Sequence, residues 1–216
     1  MHGALRSAWS WEWLGPALAS ALQTWVVAIS RYSHGQSDAA PSLEAEARFI
    51  DEANDVLPAL RKVVSLDDVV IIGESDGAAI SLIHAASHYS VAGVIALAPW
   101  VLYEPSIVQW VTTAHPRANA RHLDDDETVA FDRAVWQSPE MHSWQIEAFL
   151  GSVRCPVVAV QSPGDSAISV AQSQRLSTGL AHCETVWLSG PTTLDPANTR
   201  TLCELAAELI RAPGPR

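Results

Sequence analysis

The sequence is short of basic residues. Its 216 residues include 13 lysines and arginines but 24 aspartates and glutamates, so the formal net charge is −11. Because nucleic acids and anionic membrane surfaces repel an acidic protein, we expect neither as a partner. The charge is typical of a protein that stays in solution. Apolar residues make up 48% of the chain, which is enough to bury a sizeable core at this length.

Long apolar segments and cysteine clusters are also absent from the sequence. Without an apolar run of about 18 residues, no membrane-spanning helix is expected. The N-terminus lacks the basic region followed by an apolar region that marks a secretory signal. Cys155, Cys183 and Cys203 have no metal-ligand spacing, and their odd number is typical of reduced thiols in a cytoplasmic protein. We expect no metal and no cofactor.

Five apolar runs of strand length alternate with helical patterns along the chain. The runs cover residues 25–29, 69–72, 93–98, 156–160 and 185–188. Each is continuous rather than alternating with polar residues, which is typical of parallel strands covered by helices on both faces. The repeated strand–helix order predicts an α/β fold, with a mostly parallel sheet flanked by helices.

Helical patterns fill the intervals between these runs. The candidate helices cover residues 9–22, 43–64, 76–88 and 198–212. The second of them is long and contains Pro58. We expect Pro58 to kink or divide it, because proline lacks a backbone N–H and its ring clashes with the preceding turn.

Residues 101–153 break this alternation of strands and helices. The segment is long and polar in its middle, so we expect short helices that lie over one end of the sheet as a lid. Its acidic run from Asp124 to Glu127 is interpreted as the start of a helix, where acidic side chains are favoured, rather than as a metal site. The segment also carries three tryptophans, whose ordinary role is core packing: Trp110, Trp136 and Trp144.

A serine flanked by glycines stands between the run 69–72 and the helical pattern that follows it. The stretch GESDG, residues 73–77, fits the pattern G-x-S-x-G with Ser75 at its centre. In a sharp strand-to-helix turn this pattern exposes the serine hydroxyl, and the glycines allow two backbone segments to pass closely. The start of the helix offers N–H groups and a positive partial charge to a developing oxyanion. In this position the pattern predicts a nucleophilic serine.

Together with this motif, three other stretches resemble the α/β-hydrolase family. They are HGA at residues 2–4, RYSHGQSD at 31–38 and CPVVAVQSPGD at 155–165. The resemblance is to single-domain esterases and lactonases with a short helical lid, and it covers almost the whole chain. It implies one α/β-hydrolase-like domain over residues 1–216, with residues 101–153 as the lid.

The resemblance also implies roles for individual residues. Ser75 matches the family's nucleophile, and Asp165 matches the acid that follows a late strand. The backbone N–H groups of Ala4 and Asp76 match the oxyanion hole. From the residues alone, Asp165 is equally well explained as a turn residue after the Pro-Gly pair at 163–164.

The histidine that completes the family's catalytic triad is missing from its expected place. In the family it follows the last strand in a Gly-His pair, whereas here Gly190 is followed by Pro191. No histidine occurs after His182, which itself precedes the last expected strand. A serine hydroxyl without a base is a weak nucleophile. In such triads loss of the base lowers turnover by about 10⁶-fold, which corresponds to roughly 8 kcal/mol of barrier.

Other histidines are candidates for the missing base. His34 follows the C-terminal end of the run 25–29, which is the side of a parallel sheet where sites form. His115, His122 and His142 lie in the lid segment, although such residues are more often surface or hydrogen-bonded histidines. We take His34 as the candidate substitute base, on the condition that its geometry allows proton transfer.

The start of the chain also departs from the family. By resemblance, a third strand precedes the His-Gly pair and lies between the strands that end near Ile29 and Ile72, and Met1 stands where it would end. Loss of this strand would leave backbone N–H and C=O groups unpaired at the centre of the sheet. Unpaired groups cost free energy when they are buried, and when they are exposed they favour pairing with another chain. The preferred explanation is a truncated or misassigned start; the others are direct pairing of the two flanking strands and a second chain in the gap.

Two functions from different classes follow from these observations. The resemblance implies serine-type hydrolysis of a small ester, lactone or similar carbonyl substrate, by a cytoplasmic enzyme with a small-molecule substrate and no cofactor. The alternative is a catalytically impaired relative that binds a small apolar ligand or a partner under its tryptophan-bearing lid. A decayed gene product is a third explanation. The exposed gap in the sheet would favour self-association.

Overall fold

The computed structural model describes residues 1–41, 45–88, 90–113, 126–190 and 194–212. Within these ranges, the centre of the fold is one sheet of four parallel strands in the order β1-β2-β3-β4. The strands are β1 (Val69–Glu74), β2 (Val91–Leu97), β3 (Val157–Gln161) and β4 (Cys183–Trp187). The structure therefore confirms the expected α/β fold with a parallel sheet.

Helices surround this sheet. The α-helices of the described ranges are α1 (Leu14–Leu22), α2 (Ala45–Asp51), α3 (Leu57–Val63), α4 (Asp76–Ser87), α5 (Pro105–Thr113), α6 (Asp126–Trp136), α7 (Glu147–Leu150), α8 (Val170–Gly179) and α9 (Thr199–Arg211). Short 3₁₀ helices lie at Ala8–Trp11, Pro139–Ser143 and Pro196–Asn198, and a π-helical turn lies at Glu52–Val56. None of the described helices is both long and apolar enough to cross a membrane.

Two buried clusters, one on each face of the sheet, hold the fold together. In β2, Val94 and Ala96 belong to the first cluster, whereas Ile95 and Leu97 belong to the second. The first cluster packs α4 and the segment 101–153 against the sheet, and the second packs α1 and α9 against the other face. Because both faces are covered, neighbouring residues of one strand are all buried, which explains the continuous apolar runs.

The strand expected for residues 25–29 does not form, and this prediction is wrong. The backbone of these residues has no regular secondary structure, and Trp25 is 88% exposed. A strand needs a neighbour that bonds its backbone groups, and no described strand pairs with residues 25–29; the C-terminal end of β1 bonds Met1 instead. Met1 N donates to Ile72 O at 2.7 Å and Glu74 N donates to Met1 O at 3.0 Å, as in one rung of a parallel ladder.

An apolar cavity lies between this irregular segment and β1. Residues 24–29 and 69–72 both line it, and its volume is about 340 Å³. The two apolar runs therefore do not pair with each other, which removes direct pairing as the explanation for the missing strand.

The long helix expected for residues 43–64 is divided in the region of Pro58. A π-helical turn follows α2, and α3 begins one residue before Pro58. The wider π-helical turn accommodates a ring that would clash with the preceding turn of a regular helix. This turn carries Glu52, whose buried carboxylate lies 3.2 Å from the guanidinium of Arg31.

The segment 101–153 contains the expected short helices α5, α6 and α7. Trp136 and Trp144 are buried against Trp100, with ring centroids 4.3 and 5.1 Å from that ring. Core packing explains these two tryptophans. Trp110 of α5 is instead 37% exposed and lines the cavity that contains Ser75.

The acidic run at residues 124–127 is only partly described. The helix α6 begins at Asp126, so Glu127 lies in its first turn, where an acidic side chain interacts favourably with the helix dipole. Asp124 and Asp125 lie outside the described residues.

Candidate active site

Ser75 occupies the turn between β1 and α4 in a strained backbone conformation. Its φ of 53° and ψ of −120° lie in a region that residues other than glycine rarely adopt. Ser75 N donates to Leu97 O at 2.9 Å, and Ser75 O accepts from Trp100 N at 3.3 Å. The Ser75 hydroxyl has no hydrogen-bond partner among the described residues. Backbone contacts alone therefore position it.

The glycines around Ser75 are needed because backbone segments pass there without room for a Cβ. A Cβ on Gly77 would lie 2.5 Å from His2 O, and one on Gly73 would lie 2.5 Å from Gly77 O. A Cβ on Gly3 would lie 3.1 Å from Ser75 Cβ. The loop that begins at His2 therefore passes directly against the start of α4, as the glycine pattern predicts.

Ala4 and Asp76 each have a backbone N–H that finds no acceptor in the described part of the chain. Ala4 follows Gly3, which touches Ser75, and Asp76 is the first residue of α4. The first N–H groups of a helix have no partner within the helix, so Asp76 N–H is available to an anion. Two free donors near one serine are what an oxyanion hole requires.

Side chains from other elements hold the loop at residues 2–6 in shape. His2 Nδ1 donates to Gly3 O at 2.8 Å, and His2 Nε2 accepts from Arg31 N at 2.9 Å. Burial, and then the charge of Arg31, lower the pKa of His2 well below its ordinary value of 6.5. The ring is therefore neutral and keeps the lone pair that this bond needs. Asp132 Oδ2, from α6, accepts from Leu5 N at 2.5 Å.

Ser75 and Asp165 line the same cavity, which has a volume of about 170 Å³. Ala4 lines it as well, so the fold brings three of the expected site residues together. Much of the remaining wall is apolar and includes Ile107 and Trp110 of α5. The cavity lies at the C-terminal ends of the strands, where parallel sheets commonly form crevices.

The two carboxylate oxygens of Asp165 have different environments. Oδ1 accepts hydrogen bonds from Ala167 N at 2.9 Å and from Ile168 N at 3.0 Å. The turn interpretation of this residue is therefore correct for that oxygen. Oδ2 has no hydrogen-bond partner among the described residues, so it is available to a group bound in the cavity.

His34, the candidate substitute base, does not line this cavity. The residue is fully buried, with Nδ1 bonded to Tyr32 O at 2.7 Å and Nε2 bonded to Asp132 Oδ2 at 3.0 Å. Both ring nitrogens are engaged, and the bond to Asp132 fastens the loop around His34 to α6. The structure therefore brings no free nitrogen of His34 to Ser75.

No histidine in the described ranges lines the cavity. His142 is exposed on the segment 101–153, and His182 is exposed immediately before β4. His115 and His122 lie outside the described residues.

The loop after β4, where the family's histidine would stand, is tied to the loop after β3. Leu188 N donates to Gln161 O at 2.9 Å, and the hydroxyl of Ser162 donates to Gly190 O. Pro191 lies outside the described residues. The loops that follow these two strands are therefore held together up to Gly190.

Two charged residues of the cavity are not singled out by the sequence pattern, namely Glu74 and Arg6. Arg6 Nε lies 3.1 Å from Glu74 Oε2, and the two side chains are 33% and 8% exposed. Burial raises the pKa of Glu74 above its ordinary value of 4.5, Arg6 opposes this shift, and Asp76 and Asp165 add to it. The signal that could have identified Glu74 is its position immediately before Ser75.

A buried ion network fixes the start of α4. Arg31 Nη1 donates to Asp76 Oδ2 at 2.8 Å, and Arg31 Nε lies 3.2 Å from Glu52 Oε2. The three side chains are at most 2% exposed. Burial would lower the pKa of Arg31, but the carboxylates of Asp76, Glu52 and Asp132 outweigh it and raise the pKa, so the guanidinium stays charged.

We expect the free energy of unfolding to fall as the pH is lowered from about 7 to about 5. The pKa of His2 lies well below its ordinary value, and burial lowers the pKa of His84 to about 4. The unfolded chain takes up these protons below a pH of about 6.5 and the folded chain does not. The free energy of unfolding is therefore highest above that pH. It falls as the pH drops toward the pKa values of the folded state, by up to about 1.4 kcal/mol per pH unit for each proton.

Urea denaturation over this pH range measures the effect. His84 Nδ1 bonds to Ala53 O at 2.6 Å, so His84→Gln keeps a donor near that carbonyl while removing the titrating ring. This variant should lose less stability per pH unit than the unmodified chain. The matched control is His182→Gln, because His182 is exposed and should leave the pH dependence unchanged. The same pH dependence in both variants would contradict the assignment to His84.

Comparisons with known proteins agree with this architecture. A family model described as the alpha/beta hydrolase family matches residues 1–215. Among solved structures, the 2-hydroxy-6-oxo-6-phenylhexa-2,4-dienoate hydrolase of Rhodococcus sp. strain RHA1 has a TM-score of 0.79 and 18% identity, over 98% of this chain and 89% of that chain. An esterase from Exiguobacterium antarcticum has a TM-score of 0.75 and 11% identity, over 98% and 90% of the two chains.

An N-acyl homoserine lactone degrading enzyme is also similar, with a TM-score of 0.69 and 18% identity over 98% of this chain and 90% of that chain. At such low identities these structures show a common fold and no more. No curated protein matches the chain. Because the family model covers nearly all residues and the described fold agrees with it, the chain belongs to the α/β-hydrolase family.

Proposed function

We propose that the chain is a serine hydrolase that acts on small esters, lactones or related carbonyl compounds. The observation that carries this proposal is the shared cavity, which Ser75, Asp165 and Ala4 line together. The backbone strain at Ser75 supports it as well, because strained residues of this kind concentrate at functional sites. An esterase and a lactone-degrading enzyme among the similar structures are in keeping with a carbonyl substrate.

The proposed reaction begins when Ser75 Oγ attacks the carbonyl carbon of the substrate. The carbonyl oxygen becomes an oxyanion, which accepts hydrogen bonds from the free N–H groups of Ala4 and Asp76. The positive end of the α4 dipole adds to this stabilisation. Collapse of the intermediate expels the alcohol and leaves an acyl group on Ser75, which water then hydrolyses.

The size of the cavity supports small substrates. Its volume is about 170 Å³, and an apolar cavity of about 150 Å³ in another protein accommodates benzene. Ile107, Trp110 and Val111 of α5 form an apolar wall suited to a short acyl group. We propose that the segment 101–153, which carries α5, is the lid of the site.

A fluorophosphonate probe tests this proposal, because it reacts with activated serines. We expect one adduct per chain, which peptide mass spectrometry should locate on the peptide that contains Ser75. Ser166 lines the same cavity and is an internal comparison, because it has neither the strained turn nor a helix N-terminus beside it. An adduct on Ser166, or no adduct on folded protein, would contradict the serine mechanism and favour the ligand-binding alternative.

A further inference from the structure

The proposed hydrolase needs a group that accepts the proton of Ser75, and the described part of the cavity offers few. Its titratable side chains there are Arg6, Glu74 and Asp165, with no histidine among them. Arg6 has no proton-accepting atom at ordinary pH. Only the two carboxylates can therefore act as a base within the described cavity.

Asp165 is the less suitable of the two carboxylates. Its Oδ1 already accepts two backbone hydrogen bonds, from Ala167 N and Ile168 N. These bonds hold the carboxylate as part of the turn after β3.

Glu74 has a different environment. The residue is 6% exposed, borders the cavity, and directly precedes Ser75 in the chain. Its Oε2 forms an ion pair with Arg6 Nε at 3.1 Å, and its carboxylate accepts a backbone hydrogen bond from Gly3. Gly3 and Arg6, which contact this carboxylate, line the same cavity as Ser75, so the carboxylate is held at the border of that cavity.

We infer that Glu74 is the general base of this site, an inference that rests on the serine hydrolase function proposed above. The Glu74 carboxylate accepts the proton of the Ser75 hydroxyl, directly or through one cavity water, as Oγ forms its bond to the carbonyl carbon. The electron pair of the C=O bond moves to the oxygen. When the intermediate collapses, the leaving alkoxide takes this proton and departs as an alcohol.

The second half of the reaction uses the same carboxylate. Glu74 accepts a proton from the attacking water as its oxygen bonds to the acyl carbon. The bond to Ser75 Oγ then breaks, and Oγ takes the proton back from Glu74. One water is consumed, one acid and one alcohol are formed, and both residues return to their starting states.

The surroundings of Glu74 suit a base. The pKa of Glu74 is raised by burial, and Asp76 and Asp165 contribute to the rise, whereas Arg6 limits it. A base is most effective when its pKa is near the working pH. Arg6 is the positioning residue in this scheme, because its charge keeps Glu74 ionised until the proton arrives.

The variant Glu74→Gln tests the inference, because it keeps the size of the side chain and removes its basicity. Hydrolysis of a short-chain p-nitrophenyl ester should lose about 10²- to 10⁴-fold in kcat with little change in KM. The rise of kcat/KM with pH in the acid range should disappear. Glu74→Asp should recover part of the rate. Arg6→Met should move this rise, the acid limb of the pH profile, to higher pH, because it removes the charge that lowers the pKa of Glu74.

Two controls separate this role from a structural one. Glu147→Gln changes an exposed glutamate that pairs with Arg175 at 3.4 Å, and it should leave rate and pH profile unchanged. Thermal unfolding of each variant shows whether the protein remains folded. A structural role for Glu74 would lower the active fraction but would leave the acid limb in place.

The outcomes also separate this inference from the proposed function. Fluorophosphonate could label Ser75 in Glu74→Gln at the same rate, and with the same pH dependence, as in the unmodified chain. That result would overturn the role of Glu74 but not the serine hydrolase function. An unmodified chain that is folded but neither labelled nor active would overturn both. Loss of the acid limb in Glu74→Gln, with its shift in Arg6→Met, is the result that we expect.

Discussion

Replacing Ser75 with alanine should lower kcat for a short-chain ester by about 10⁴- to 10⁶-fold. The hydroxyl is the atom that forms the acyl intermediate, and no other group of the turn can take over that bond. The strained backbone does not depend on the hydroxyl, because Leu97 O and Trp100 N hold Ser75 through its main chain. The variant should therefore fold normally and fail only in chemistry, which steady-state kinetics and circular dichroism measure together.

A matched variant shows whether this loss is specific to the site. Ser143 is exposed, and its hydroxyl bonds to Glu140 O within a short 3₁₀ helix. Ser143→Ala should keep the full rate. If Ser75→Ala retained more than about a tenth of the rate, hydrolysis would have to proceed without a covalent intermediate on Ser75.

Replacing Asp76 with asparagine should lower the free energy of unfolding by about 3–5 kcal/mol. The amide has the shape of the carboxylate but no charge, so the buried guanidinium of Arg31 loses the nearer of its two close partners. Arg31 lies 2.8 Å from Asp76 and 3.2 Å from Glu52, and all three side chains are almost fully buried. Removing one partner of a buried ion pair is far more costly than removing the same partner in water, even though Glu52 remains beside Arg31. Urea denaturation measures the change.

An exposed ion pair of the same length is the control. Arg200 Nε lies 2.8 Å from Glu204 Oε1 on α9, and these side chains are 89% and 57% exposed. Glu204→Gln should cost less than about 1 kcal/mol, because water solvates the charge that remains. Added salt should reduce the loss of unfolding free energy caused by Glu204→Gln, because salt screens exposed charges. It should leave the loss caused by Asp76→Asn nearly unchanged. Similar costs for both variants would contradict the role given to burial.

The strands of the sheet could be predicted because their signal is local. The runs at residues 69–72, 93–98 and 156–160 are apolar without interruption, and the structure buries both faces of β2 and β3. Residues 25–29 carry the same signal and form no strand. An apolar run shows that a segment can join a sheet, but the partner that would bond its backbone is set elsewhere in the chain.

The turn at Ser75 was predictable for a similar reason. Gly73 and Gly77 lie within two residues of Ser75, and the close backbone passage that they allow is a local requirement. The fate of His34 was not predictable in this way. Its partner Asp132 lies 98 residues away along the chain, so no local pattern could show that both ring nitrogens are engaged.

By itself, the sequence determined the α/β order of elements, the parallel sheet and the strained turn that carries Ser75, because spacing and composition within a few residues control each of them. Only the tertiary structure decided which charged groups share a cavity with that serine. Arg6, Glu74 and Asp165 come from three separate stretches, and they meet because the loop at residues 2–6 and the loop after β3 converge at the C-terminal ends of the strands. Burial at that meeting point then sets the pKa of Glu74, and burial is a property of the folded chain.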